Sequence, residues 1–104
     1  GGPSINWRRV YKQSDVTLAA TSGSATAVFT LTLPEWNLLK GIGYRPDNAV
    51  IANARRDDGT GHYEAVAHWN AASARQITVT FRDFDPFISL TAGTYHIGLI
   101  IFGH

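Results

Sequence analysis

Gln76-Ile77-Thr78-Val79-Thr80-Phe81 alternates polar and apolar residues without a break, and this alternation decides the fold class. Side chains along a strand point to opposite faces at period two, so Ile77, Val79 and Phe81 face inward and the polar residues outward. Ala25-Thr26-Ala27-Val28-Phe29-Thr30-Leu31-Thr32-Leu33 repeats the pattern, with Phe29, Leu31 and Leu33 on one face and Thr30 and Thr32 on the other. Tyr95-His96-Ile97-Gly98-Leu99-Ile100-Ile101-Phe102 is nearly continuous in apolar residues. It reads as a strand covered on both faces, in a central or inter-subunit position. Helical periodicity is confined to Glu35-Trp36-Asn37-Leu38-Leu39-Lys40, shut off by Gly41 and Gly43, which allows one turn at most.

Outward from these segments, Ala49–Asn53 and His62–Trp69 read as two more strands, and Ile5–Tyr11 as the first. Asp57-Asp58-Gly59-Thr60-Gly61 is expected to join two of them as a hairpin with a long loop, and Asn70-Ala71-Ala72-Ser73 to join the next pair. Pro34, Pro46 and Pro86 fall at strand edges or between strands, where a missing N–H costs little. Short strands at this spacing indicate an all-β fold, an antiparallel Greek-key or jelly-roll-like barrel or sandwich.

The chain has 104 residues, 44% of them apolar and 16% charged. That is one domain, expected over residues 5–104, with enough apolar content to fold. Gly1-Gly2-Pro3-Ser4 reads as a cleavage scar or the cut edge of a longer protein. With no Cys, disulfides and cysteine-bound zinc are excluded, and a domain this small is expected to gain stability from a metal or from oligomerisation. The net charge of +1 carries no electrostatic footprint for nucleic acid, and Asp57-Asp58 cancels Arg55-Arg56. No apolar run approaches the roughly 18 residues that cross a bilayer, so no membrane insertion is expected.

Catalysis finds little support. There is no nucleophile elbow and no Gly-rich phosphate cradle. Asp83 and Asp85 stand two apart, and with Glu64 they could be imagined as glycosidase carboxyls. Asp85 precedes Pro86, however, and turn structure is the better expectation. His62 and His68 share a strand face but lie about 20 Å apart, too far to share a metal. His96 or His104 could gather three imidazoles at a trimer axis, but the reading adopted has no metal and no cofactor.

The remaining constellation is His62-Tyr63-Glu64 and His68-Trp69-Asn70, preceded by Arg55, Arg56, Asp57 and Asp58. Sugars offer apolar C–H faces to aromatic rings and hydroxyls to carboxylate, amide and guanidinium groups. Tyr63, Ala65, Ala67 and Trp69 should form an apolar face directed at the core, and His62, Glu64 and His68 a polar face interrupted by Val66. Arg55, Asp57, Asp58, His62, Glu64, His68, Trp69 and Arg75 are the candidate saccharide contacts.

Leu33-Pro34, Gly43-Tyr44-Arg45-Pro46, the short strand Ala49–Ala52, a Gly-bearing polar loop and Gly93-Thr94-Tyr95 before an apolar last strand form a pattern. It resembles the C-terminal head domains of phage receptor-binding proteins and tail fibres, including those of siphophages infecting lactic-acid bacteria. The resemblance covers roughly residues 31–104. It implies a homotrimeric β knob at the tip of a virion tail, assembled in the bacterial cytoplasm with other tail or baseplate proteins. It implies binding of host cell-wall polysaccharide without catalysis. It places His62 after the loop glycine Gly61, His68 as a strand contact, and Arg75 and Gln76 where the next strand begins. Two alternatives stay open: a structural virion component without a ligand, and a trimeric six-stranded lectin of the invertebrate agglutinin kind.

Overall fold

A computed structural model describes residues 8–40, 50–70 and 75–103. Six strands and one helix follow in the order β1 (Arg8–Leu18), β2 (Ala25–Thr30), α1 (Leu33–Lys40), β3 (Val50–Arg56), β4 (Tyr63–Trp69), β5 (Gln76–Asp83) and β6 (Gly93–Gly103). They form two antiparallel three-stranded sheets, β1-β6-β3 and β2-β5-β4, so the all-β expectation holds. The alternation read in the sequence produces the sandwich. Ile77, Val79 and Phe81 of β5 meet Tyr95, Ile97, Leu99 and Ile101 of β6 in one buried core, completed by Phe29, Leu31, Leu39 and Leu90. β6 is the central strand of its sheet, bonded to β1 and β3, but within the chain it is covered on one face and not on both. Its inward residues are fully buried while its outward ones, among them His96 and Ile100, remain partly accessible.

Several local expectations are corrected. Asp57–Gly61 does not close a hairpin. It carries the chain from one sheet to the other, since β3 pairs with β6 and β4 with β5. Gly59 and Gly61 turn this corner at φ of 74° and 82°, a region that glycine enters without a Cβ clash. Arg55 and Arg56 belong to β3, not to the loop. The strand expected over Ala25–Leu33 stops at Thr30, so Leu33 is an exposed helix residue and not part of an inward face. Pro34 lies in the helix, not at a strand edge.

The helix is eight residues long, not one turn, because its start is doubly capped. The Glu35 backbone N–H donates to Thr32 Oγ1 at 3.2 Å, and the Thr32 N–H donates to Glu35 Oε1 at 2.8 Å. Pro34 sits in the first turn, where no helical partner for its missing N–H exists. At the other end the Arg8 guanidinium donates to the Leu38 carbonyl at 3.1 Å. Leu39 then enters the core, and Trp36 packs edge-on against Trp69 of β4 with ring centroids 6.0 Å apart. The helix thereby plugs the end of the sandwich opposite the β3–β4 corner. Gly41–Pro46, Ala49, the turn at Ala71–Ser73, Ile5–Trp7 and His104, on which several expectations fell, lie outside the described residues.

Candidate functional site

The chemistry gathers on the outer face of the β1-β6-β3 sheet. Strand register sets it out in rows: Tyr11–Ile100–Ile51, then Gln13–Gly98–Asn53, then Asp15–His96–Arg55. Gly98 stands at the centre of the middle row. A glycine inside a strand weakens it, because it gives up packing surface and fixes a flexible residue. Here it opens the floor of a trough. A Cβ on Gly98 would collide with the Asn53 carboxamide, which lies over the glycine from β3. Two adjoining depressions of about 270 and about 120 Å³ share Gln13, Asn53 and Gly98. The first is walled by Tyr11, Ile51 and Ile100, the second by Asp15, Arg55 and His96. Tyr11 is 62% exposed, with the Arg9 guanidinium 6.0 Å from its ring centre.

At the polar end, His96 is gripped from both sides. Its Nδ1 lies 2.6 Å from Asp15 Oδ1 and its Nε2 lies 2.6 Å from Asp57 Oδ1. Asp57 is placed by its own backbone N–H, which donates to the Thr94 carbonyl and continues the β3–β6 ladder by one residue. The contacts to Asp57 and then Asp15 push the imidazole pKa above the ordinary histidine value; partial burial and Arg55 pull weakly the other way. Both ring nitrogens can donate only in the imidazolium, so the arrangement is that of a charged histidine between two carboxylates.

The eight sequence candidates separate into distinct places. Arg55 and Asp57 lie on the trough's polar end. Asp58 is spent on the corner, where Oδ1 accepts from the Thr60 N–H at 3.0 Å and the Thr60 hydroxyl at 2.7 Å. The Thr60 hydroxyl and then its N–H hold the Asp58 carboxyl below its usual pKa. His62 lies just before β4 and is exposed, with its carbonyl accepting from the Phe84 N–H. Glu64 and His68 face outward on the other sheet, and Glu64 pairs with Arg82. Trp69 turns inward with Tyr63, Ala65 and Ala67, as the alternation of β4 predicts. Arg75 is exposed at the far end of the sandwich, where its carbonyl accepts from the Leu31 N–H. The structure thus brings only Arg55 and Asp57 of the eight to the trough.

Tyr11, Gln13, Asp15, Asn53, His96 and Gly98 are not among the saccharide candidates read from the sequence. Two signals pointed to them. Tyr11, Gln13, Asp15 and Thr17 alternate as the accessible face of β1, and Gly98 interrupts an otherwise apolar run. Asp83 and Asp85 are committed to the β5–β6 loop, accepting from the backbone N–H groups of Asp85 and Phe87 at 2.9 and 3.0 Å. Among the described residues no group of three His, Asp or Glu side chains could hold a metal ion. No described helix is long and apolar enough to cross a membrane. No protein-family model, no curated protein and no solved structure matches this chain.

Proposed function

We propose that this chain is an adhesion module: the receptor-binding head domain of a phage tail, assembling as a homotrimer and recognising saccharide on the host bacterial surface. The trough over Gly98 is the observation that carries the reading. It sets an exposed tyrosine ring, two carboxamides, a guanidinium and a carboxylate around the Gly98 backbone. These are the groups that satisfy a pyranose, whose C–H face stacks on a ring while its hydroxyls bond to amide and charged partners. Phe84, Phe87 and Ile88 of the β5–β6 loop, away from the trough and each more than half exposed, support contact between copies. Shallow single sites become effective when linked copies engage together.

The sandwich of two three-stranded sheets also favours a second reading, the trimeric six-stranded lectin, which shares the saccharide and differs in biological setting. Retention on purified bacterial cell wall, followed by titration with its polysaccharide fragments, tests both against a structural part without a ligand. Gly98→Val should fill the trough and weaken binding at least about tenfold, a loss of about 1.4 kcal/mol. Asp83→Asn and Asp85→Asn should leave any glycan-cleaving activity unchanged. A wild-type domain that no cell-wall glycan retains, or a Gly98→Val variant that binds as well as wild type, overturns the reading. Light scattering should give three times the chain mass; a stable lone protomer removes the trimer.

A further inference from the structure

Asp15 comes from β1, His96 from β6 and Asp57 from the residue after β3, so one imidazole ties all three strands of the sheet at its corner end. Arg55 stands directly beside His96 in the next strand and faces the same patch. Among the described residues it makes no ion pair or side-chain hydrogen bond, while Asp15 and Asp57 each place Oδ1 on His96. The other groups facing this end, Thr17 and Thr94, are uncharged and bond to each other at 3.0 Å. The neighbouring Arg56 points to the opposite side, over the Tyr95 ring and onto the Ala92 carbonyl.

We infer that His96 is a proton-operated clasp that decides which charge the trough offers a ligand. Protonated, it holds Asp15 and Asp57 together and leaves the Arg55 guanidinium open at the mouth of the trough. On losing its proton it keeps one N–H donor. The other nitrogen then presents a lone pair to a carboxylate, and that carboxylate swings to Arg55 and neutralises it. The clasp is therefore closed below the histidine's raised pKa and opens as pH climbs through it, in keeping with the direction of the shift. Its consequence for binding rests on the saccharide reading above, whereas the proton-coupled exchange of partners does not.

Nitrogen-15 NMR of the intact chain, titrated from about pH 5 to about pH 9, separates the two. With no ligand present, His96 should show both ring nitrogens protonated at the acid end and a midpoint above about 6.5, the ordinary histidine value. The midpoint should fall in both Asp57→Asn and Asp15→Asn. The Arg55 Nε resonance should step at the wild-type midpoint and lose that step in His96→Gln. A His96 midpoint at or below the ordinary value, or an Arg55 resonance that ignores it, overturns the clasp; Asp57→Asn, altered only at an exposed corner residue, serves if His96→Gln does not fold. With cell-wall fragments added, affinity should change at least about threefold across the same midpoint and be flat in His96→Gln. Flat affinity in the wild type overturns the clasp's role in binding. Absence of binding at every pH, with the NMR steps intact, overturns the saccharide reading alone.

Discussion

The two sheets share one core and one alternation, yet their outer faces differ in texture. On β1-β6-β3 the central strand presents Gly98 between the long side chains Gln13 and Asn53, so the surface sinks at its middle. On β2-β5-β4 the central strand presents Thr78 and Thr80 between Val28 and His68, and between Thr26 and Val66. No glycine interrupts the rows there. Thr78 is tied down by a 2.7 Å hydrogen bond to Asn70, and Glu64 and Arg82 pair across the strands. Inner faces are alike because burial demands it. An outer face is free to be flat or hollow, and one glycine in the central strand makes the difference.

The largest effects should fall where the sheets are alike. Phe81→Ala in one sheet and Tyr95→Ala in the other each remove a fully buried ring from the shared core, and the two rings touch at 5.5 Å between centroids. Each should cost about 3–5 kcal/mol in denaturant unfolding, with a single transition for the whole domain. A variant in which one sheet melts before the other would show that the core is not shared. Gly103→Ala comes next. Its Cβ would lie 2.7 Å from the Leu39 carbonyl oxygen and 3.0 Å from the Leu39 Cα, backbone atoms that cannot turn aside. A loss of about 1–3 kcal/mol by thermal unfolding is expected, and an unchanged melting temperature would mean that the helix does not close the sandwich as described.

The helix cap gives a smaller effect with a defined pH dependence. Thr32→Ala should cost about 1 kcal/mol. Partial burial raises the Glu35 pKa, but Lys12 at 2.7 Å and the Thr32 N–H and hydroxyl outweigh it and hold the carboxyl below its usual range. A depressed folded-state pKa contributes stability above the unfolded carboxyl value, about 4.3, and loses it as pH falls through the folded one. Acid titration of wild type against Glu35→Gln should therefore diverge above about pH 4 and converge below it. Parallel curves would show that the ion pair and cap contribute nothing.

How much of this was legible in the sequence follows from which forces act locally. Period-two burial is a local property of a strand, so the inward faces of β4 and β5 could be read from Tyr63, Ala65, Ala67, Trp69, Ile77, Val79 and Phe81 alone. Pairing is not local. Asp57–Gly61 has the composition of a hairpin loop, and only the pairing of β3 with β6 and of β4 with β5 makes it a corner. The helix was underestimated although Thr32-Leu33-Pro34-Glu35 carries a capping box, because the alternation of β2 seemed to continue through Leu33. The trough needed β1 and β3 on either side of β6. Asp15 and His96 are 81 residues apart in the chain, and nothing in either neighbourhood announces the other.

The smallest expected effect tests the flat face, and it separates two exposed charge contacts that look similar on paper. Glu64 and Arg82 form an ion pair across β4 and β5, with side chains 40% and 53% exposed. Water and salt screen such a pair, and ordering two long side chains costs entropy, so Glu64→Gln should change stability by less than about 1 kcal/mol. That change should shrink further as salt is raised. The clasp at His96 joins three strands through a short, rigid ring, and its contribution should follow pH more strongly than salt. Because the histidine's pKa is raised in the folded state, that contribution is complete below about 6.5 and lost as pH climbs through the folded value. Unfolding curves for Glu64→Gln and His96→Gln across pH should thus differ in shape. The first should track wild type at constant offset from neutral to mildly alkaline pH, while the second should converge on wild type as the solution becomes basic. If instead the Glu64 variant converges and the His96 variant does not, the proton-sensitive contact lies on the flat face, and the division between the two surfaces is reversed.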